Sequence, residues 1–153
     1  MKLVISRHGQ ASFNADSDRE RPLTQAGIEQ TKQLMTKHLA DLADVDAIWS
    51  SDLKRAKQTA SIYAQQLSLD IQEKNFLTPD DEPKTVLKHL LNQGADSTLL
   101  IVSHQPLVGE LVSLLCDGNI YNAHPYTTSE IVVIECDIAE AGLGTKVANY
   151  LPS

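Results

Sequence analysis

Short apolar stretches alternate with helical segments along this chain, and this alternation restricts the possible folds more than any other feature. The stretches at 3–6 and 98–102 are mostly apolar, which is typical of strands buried on both faces of a sheet. A third such stretch, 45–49, precedes a segment with apolar residues at helical spacing. Strands that alternate with helices predict an α/β domain, a three-layer sandwich with a mostly parallel central sheet flanked by helices.

The bounds of the predicted elements follow from apolar spacing and from capping signals. Thr24 is a suitable N-cap for a first helix, whose apolar positions extend to Leu39 and Leu42. Gly94 is placed at the C′ position of the third helix. The second, third and fourth helices are predicted at 53–67, 84–93 and 107–116. The remaining strands are predicted at 71–74, 131–136 and 146–150.

Length and composition limit the class of protein. A chain of 153 residues, 42% of them hydrophobic and 22% charged, has the size and composition of one globular domain, 1–153. Its longest apolar run, 99–102, is too short to span a bilayer, and the N-terminus lacks a signal-peptide pattern, so a cytoplasmic protein without a membrane partner is expected. Cys116 and Cys136 are expected to be reduced core thiols.

The formal net charge of −7 argues against a nucleic-acid partner, so an anion could be bound only by a local cluster of positive charge. Such a cluster is suggested by Arg7 and His8 after the first strand, Arg55 shortly after the second, and His104 after the strand at 98–102. Ligands of open α/β sheets bind beyond the carboxyl ends of the strands, where helix N-termini also point. These four residues are therefore expected to converge on an anion, with phosphate the natural guest of arginine.

Four motifs at these junctions together resemble the histidine phosphatase superfamily, whose fold is called phosphoglycerate mutase-like. They are RHG at 7–9, RPLTQAG at 21–27, SDLKRAKQTA at 51–60 and SHQP at 103–106. The likeness covers the chain from residue 3 to about residue 131. Within the superfamily, the compact length and the segments 16–18, 77–79 and 126–129 are most similar to the SixA-type phosphohistidine phosphatases.

The resemblance implies a role for each residue of the expected cluster. His8 would be the nucleophile, forming a phosphohistidine intermediate that water then hydrolyses. Arg7 and Arg55 would hold the phosphate oxygens, and His104 would be a further oxygen ligand, protonated when phosphate is bound. Neighbouring positive charge would keep His8 neutral. No metal and no other cofactor is expected, because the arginines supply the positive charge.

Three further residues are expected to contribute to the substrate pocket. Gly9 would let the backbone turn sharply beside the phosphate. Thr128 would line the pocket. Arg21 fits two interpretations equally well: a secondary phosphate contact, or a salt-bridge partner for Asp18 or Glu20.

The other polar residues near these motifs are expected to be structural. Ser51 is interpreted as a helix cap rather than a reactant. His38 and His89 fall within predicted helices and His124 in a loop, so none of the three is assigned to the site.

The residue that would protonate the leaving group is not evident. Asp80, Asp81 and Glu82 are weak candidates, since a solvated acidic loop explains them better. Imidazole, whose conjugate acid has a pKa of about 6.5, leaves far more easily than an alkoxide does. A phosphohistidine substrate would therefore tolerate the missing acid.

The leading functional hypothesis is a metal-independent phosphohistidine phosphatase, a phosphoric monoester or phosphoramidate hydrolase of signal transduction. Its partner would be a protein that carries phosphohistidine, such as a phosphotransfer domain or carrier, and the chain is expected to be a monomer. Two alternatives stay open: a phosphatase of small phosphomonoesters in the same superfamily, and a phosphate-dependent binding module without turnover.

Overall fold

The computed structural model describes residues 1–153, with six strands and four α-helices. The strands are β1 (Lys2–Arg7), β2 (Ala47–Ser51), β3 (Ile71–Lys74), β4 (Thr98–Ser103), β5 (Ile131–Glu135) and β6 (Thr145–Tyr150). The helices are α1 (Gln25–Lys37), α2 (Lys54–Leu67), α3 (Pro83–Leu90) and α4 (Leu107–Asp117), with a 3₁₀ helix at Asp18–Glu20.

The six strands form one sheet in the order β3-β2-β4-β1-β5-β6. The first four strands of this order are mutually parallel, whereas β5 and β6 are antiparallel to their neighbours. Buried residues of α1 and α2 pack on one face of the sheet, and those of α3 and α4 pack on the other. The predicted three-layer, mostly parallel α/β fold is confirmed.

Strand register places the carboxyl ends of the central strands side by side. Arg7, the last residue of β1, pairs with Ser103, the last residue of β4. The backbone N–H of His8 then donates to the carbonyl of Ser103 over 2.9 Å. His8 and His104, 96 positions apart in the sequence, are brought together because both directly follow paired strand ends.

Helix α1 begins where its capping signal predicts. The Thr24 hydroxyl oxygen accepts from the backbone N–H of Gly27 over 3.0 Å, which satisfies one of the free donors of the first turn. The helix ends at Lys37, earlier than expected. Leu42 lies in the turn after the helix and is buried, whereas Leu39 is exposed. The helical spacing of apolar residues therefore extends beyond the end of the helix.

Other predicted boundaries are also wrong. Strand β2 extends to Ser51 rather than ending at residue 49, because β3 and β4 on either side offer backbone partners to its last residues. Helix α3 ends at Leu90, and Gly94 is therefore not its C′ residue. The apolar face of α3 is complete at Leu90, whereas Leu91 is 47% exposed, so little burial would stabilise another turn.

Both cysteines are free thiols, as expected: Cys136 is buried and Cys116 is half-buried. None of the helices has both the length and the apolar character that crossing a bilayer requires.

Candidate active site

The structure brings the four expected residues to one place at the carboxyl edge of the sheet. The rings of His8 and His104 lie 5.0 Å apart between centroids, and both side chains are buried. Arg55, from the first turn of α2, is only 4% exposed. Arg7 is half-buried beside it, close enough for the charge of Arg55 to lower the pKa of Arg7, although burial is the larger cause. Two arginines beside neutral rings form a pocket suited to an anion.

One hydrogen bond decides the protonation pattern of His8. Its Nδ1 lies 2.7 Å from the carbonyl oxygen of Gly9, which can only accept, so Nδ1 carries the hydrogen. The other ring nitrogen, Nε2, therefore keeps its lone pair. Burial, the largest cause, lowers the pKa of His8 to about 4 together with the charges of Arg55, Arg7 and Arg21, against the opposing effect of the Gly9 bond. The ring is neutral at physiological pH, with burial a larger cause than the predicted positive charge.

His104 is oriented by a residue whose predicted role was wrong. Ser51 does not cap α2, whose N-cap is Leu53; its hydroxyl lies 2.8 Å from Nε2 of His104. The same oxygen accepts from the N–H of Leu53, so its hydrogen is free to donate to Nε2. When this hydrogen is donated to Nε2, the ring hydrogen of His104 stands on Nδ1. Burial lowers the pKa of His104 to about 2, with His8, Arg55 and Arg7 acting in the same direction.

Asp18, in the 3₁₀ helix, is a carboxylate that joins two arginines of the site. Arg55 donates to the Asp18 carbonyl over 2.8 Å and to its carboxylate over 3.2 Å. Arg21 donates to the other carboxylate oxygen over 3.2 Å. Burial raises the pKa of Asp18, but the hydrogen bonds and charges of the two arginines outweigh it and hold this pKa below its usual value. Asp18 is thus an ionised counter-charge that fixes the Arg55 guanidinium.

Three polar atoms of the site are buried without a hydrogen-bond partner. They are Nε of Arg7, Nε of Arg55 and Nδ1 of His104. Buried donors without partners are rare in folded proteins and indicate a place where another group is bound. Because all three atoms are donors in the protonation states described above, the arrangement can bind an oxyanion.

The three secondary candidates occupy different positions. Gly9 has no positive φ, and its N–H donates to the Thr59 hydroxyl over 3.0 Å. A Cβ at Gly9 would lie 3.0 Å from Oγ1 of Thr31, so this glycine permits close packing against α1 rather than a sharp turn. Arg21 forms the expected ion pair with Asp18, and its charge also reaches His8. Thr128 is half-buried in the loop before β5.

The acidic loop offers no obvious proton donor. Asp81 accepts from both the N–H and the hydroxyl of Thr78, so its carboxylate closes the loop on itself. Asp80 and Glu82 are exposed. No group of three or more His, Cys, Asp or Glu side chains is arranged to hold a metal ion.

Sequence reasoning missed three contributions to the site: the contact of Asp18 with Arg55, the contact of Ser51 with His104, and Glu130, whose charge raises the pKa of Arg7. Only Glu130 carries a local signal, since it is a lone acid directly before an apolar strand.

Comparison with known proteins agrees with this geometry. The sequence model of the histidine phosphatase superfamily (branch 1) matches residues 3–78. The phosphohistidine phosphatase SixA of Escherichia coli strain K12 is 34% identical over 150 residues, which cover 95% of this chain and 90% of that protein. The chain belongs to the histidine phosphatase superfamily. A second histidine phosphatase, the SixA homologue of Haemophilus influenzae, is 33% identical over 144 residues, covering 86% of this chain and 88% of its own.

The fold of this histidine phosphatase also matches a solved structure. A protein histidine phosphatase SixA, described as complexed with tungstate, superimposes with a TM-score of 0.90 at 30% identity. The match covers 99% of this chain and 97% of that one. The predicted phosphoglycerate mutase-like fold is therefore confirmed.

Proposed function

We propose that this chain is a metal-independent phosphohistidine phosphatase that uses His8 as its nucleophile and acts on phosphohistidine carried by a protein partner. The observation that carries the proposal is the hydrogen bond from Nδ1 of His8 to the Gly9 carbonyl, within a buried pocket that contains Arg7 and Arg55. It leaves Nε2 as an unprotonated nitrogen in a cationic site. The two SixA relatives, both named as phosphohistidine phosphatases, support the same activity.

The reaction proceeds in two displacements at phosphorus. In the first, Nε2 of His8 bonds to phosphorus as the bond from phosphorus to the substrate nitrogen breaks. The substrate ring, which carries a proton on its other nitrogen, leaves with the bonding electrons as neutral imidazole. In the second, water bonds to phosphorus as its bond to Nε2 breaks, which releases inorganic phosphate and restores neutral His8. Arg7 and Arg55 offset the charge on the transferring phosphoryl group in both steps.

The buried donors are assigned to the phosphate oxygens. Nε of Arg7 and Nε of Arg55 would each donate to one oxygen, and Nδ1 of His104 to another. With Ser51 donating to Nε2, the neutral ring of His104 offers a donor on Nδ1, and the expected protonation of His104 is not required. The tungstate bound by the SixA relative is a tetrahedral oxyanion like phosphate, which supports this assignment.

The chemistry of the acidic loop favours phosphohistidine over phosphomonoesters. Asp81 is hydrogen-bonded to Thr78, and Asp80 and Glu82 are exposed, so this loop holds no carboxylic acid in the pocket to protonate an alkoxide. The Asp18 carboxyl is ionised by its arginine partners. The imidazole of phosphohistidine leaves without such help, since its conjugate acid has a pKa of about 6.5. A phosphotransfer domain or carrier protein would present this group.

The test uses phosphohistidine on a protein and a panel of phosphomonoesters as substrates, with EDTA present. Wild-type protein should hydrolyse the phosphohistidine and become labelled on His8 by ³²P during turnover. His8→Ala should lose both properties by at least about 10³-fold, as expected when a nucleophile is removed. His38→Ala, a histidine at the distant end of α1, is the matched control and should retain them.

Each outcome of this test decides between the candidate functions. Faster hydrolysis of phosphomonoesters would assign the site to small phosphorylated substrates. Tight phosphate binding without hydrolysis of either class would indicate a binding module. Activity abolished by EDTA and restored by a divalent metal would contradict the mechanism.

We also propose that residues 1–153 act as one domain. The two buried apolar clusters lie on opposite faces of the same sheet, and β1, β4 and β5 contribute residues to both. Neither cluster could therefore be separated without dividing the central strands.

A further inference from the structure

The loop at residues 124–130, named here the Glu130 loop, supports both the side chain of Arg7 and the backbone of His8. Nη1 of Arg7 donates to the carbonyl of Tyr126 over 2.9 Å. The N–H of Ser129 donates to the carbonyl of His8 over 3.0 Å. The position of this loop therefore decides where the Arg7 guanidinium lies relative to the nucleophile.

The side chain of Glu130 holds this loop together. It is 1% exposed, and one carboxylate oxygen accepts from the N–H of Thr127 over 2.9 Å and from its hydroxyl over 3.3 Å. The other oxygen accepts from Nδ2 of Asn149 on β6 over 2.9 Å and from Nε2 of His124. Four donors from three residues thus converge on one buried carboxylate, which connects the loop to the edge of the sheet.

The charge of Glu130 also affects the pKa of Arg7. Burial lowers the pKa of Arg7, the charge of Arg55 lowers it further, and the charge of Glu130 opposes both. Burial raises the pKa of Glu130 itself, but its donors from His124, Thr127 and Asn149 outweigh this effect, so the carboxyl is ionised. Glu130 is therefore an ionised counter-charge for Arg7 that acts without a direct ion pair, unlike Asp18, which contacts Arg55.

We infer that Glu130, held by His124 and Asn149, is a positioning residue for Arg7: it fixes the carbonyl that receives the guanidinium and balances its charge. This inference rests on the proposed role of Arg7 in binding phosphate. Glu130 acts through Arg7 and does not itself touch the reacting atoms.

Glu130→Gln is the sharpest substitution, because it keeps the shape of the side chain. A carboxamide has one accepting end and one donating end, so it cannot accept from all four donors. In one orientation the NH₂ group of the glutamine would face the donors of Thr127, and in the other it would face those of Asn149 and His124. The substitution would also remove the negative charge. The loop and Arg7 should both shift.

The test measures binding of inorganic phosphate by calorimetry and hydrolysis of a protein-bound phosphohistidine with EDTA present. Glu130→Gln should weaken phosphate binding and lower kcat/KM, each by about tenfold, the scale expected from a small displacement of a binding group. Glu135→Gln is the matched control, since Glu135 is an exposed carboxylate at the opposite end of β5. It should change neither value by more than about twofold.

A double-mutant cycle with Arg7→Lys separates positioning from a general effect on the fold. Lysine keeps the charge but loses the planar fork, so Glu130→Gln should then cost less than about twofold in phosphate affinity. A full tenfold loss in the Arg7→Lys background would overturn the inference. If Glu130→Gln does not fold, Asn149→Ala is the second variant, because it removes one donor to Glu130. It should weaken phosphate binding about threefold when residue 7 is arginine, but not in the Arg7→Lys background. Unchanged binding in the arginine background would count against the inference.

Phosphate binding also keeps the two proposals distinguishable. Wild-type protein that binds phosphate but hydrolyses no phosphohistidine would refute the proposed function and leave the cycle interpretable. Wild-type protein that binds no phosphate would overturn both.

Discussion

His8 and His104 are each oriented by one hydrogen bond to a ring nitrogen. The Gly9 carbonyl holds the hydrogen of His8 on Nδ1 and leaves Nε2 with its lone pair. The Ser51 hydroxyl lies at Nε2 of His104, and when it donates there the ring hydrogen stands on Nδ1. Two rings whose centroids lie 5.0 Å apart are thereby prepared for different tasks, although they are chemically identical.

Ser51→Ala tests this division of roles. The ring of His104 would lose its only hydrogen-bond partner, and its hydrogen could then occupy either nitrogen, so we expect kcat for phosphohistidine hydrolysis to fall about tenfold. Ser50→Ala is the control, because Ser50 is equally buried but bonds only to the backbone of Ser51. Steady-state kinetics and thermal unfolding of both variants separate an effect on His104 from an effect on the stability of the fold. An equal loss of activity in both would show that His104 does not depend on Ser51.

At the scale of elements, close contact between the loop after β1 and helix α1 supports the position of His8. Gln10 lies directly against Gly27, in the first turn of α1, and the side chain of Thr24 bonds to Gln10 as well as capping the helix. Glycine at position 27 is required because a Cβ there would lie 2.9 Å from the backbone nitrogen of Gln10 and would overlap its carbonyl oxygen. The helix thus acts as a support for the residues that follow His8.

Gly27→Ala should therefore destabilise the protein and impair the site together. Overlap with the backbone of Gln10 is expected to cost about 1–3 kcal/mol of unfolding free energy and to displace His8 enough to slow its phosphorylation about tenfold or more. Gly94→Ala is the matched control, because a Cβ at Gly94 would meet only the Ser97 hydroxyl at 3.4 Å. Urea denaturation and ³²P labelling of His8 measure the two effects. Equal stability of the two variants would contradict the proposed contact.

At the scale of the whole molecule, burying two neutral histidines makes stability depend on pH. The pKa of His8 is lowered to about 4 and that of His104 to about 2. In the unfolded chain both rings take up a proton as the pH falls through about 6.5, whereas the folded protein keeps them neutral. The unfolded state therefore gains protons first, and folding stability is lost as the pH falls below about 6.5.

Urea denaturation at pH 7 and pH 5 measures this linkage. Each ring should lower the unfolding free energy by about 2 kcal/mol at pH 5, because that pH lies about 1.5 units below the pKa of histidine in the unfolded chain. For the two rings together the unfolding free energy should drop by about 4 kcal/mol. His8→Gln should show about half of this drop. Asp18 and Glu130 have lowered pKa values and contribute mainly at more acidic pH. An unfolding free energy that does not change between pH 7 and pH 5 would refute the neutral, buried state of the rings.

The sequence by itself determined the fold class, the bounds of several elements and the set of four residues at the site. Apolar spacing decides whether a segment can be buried as a strand or a helix, and capping residues such as Thr24 act within one turn, so both are local properties that a sequence displays. Arg7, His8, Arg55 and His104 follow strands in the same way, and the parallel sheet brings strand ends together.

Only the tertiary structure decided how these residues are held. The bonds of Arg55 to Asp18, of His104 to Ser51 and of Arg7 to Tyr126 join residues 37, 53 and 119 positions apart. Gly9 likewise proved to serve close packing rather than a turn. Such contacts depend on the order of strands in the sheet and on which helix packs against which loop, and no local pattern encodes that. The neutral state of both histidines follows from burial and from the charges of residues remote in sequence, which come together only in the folded chain.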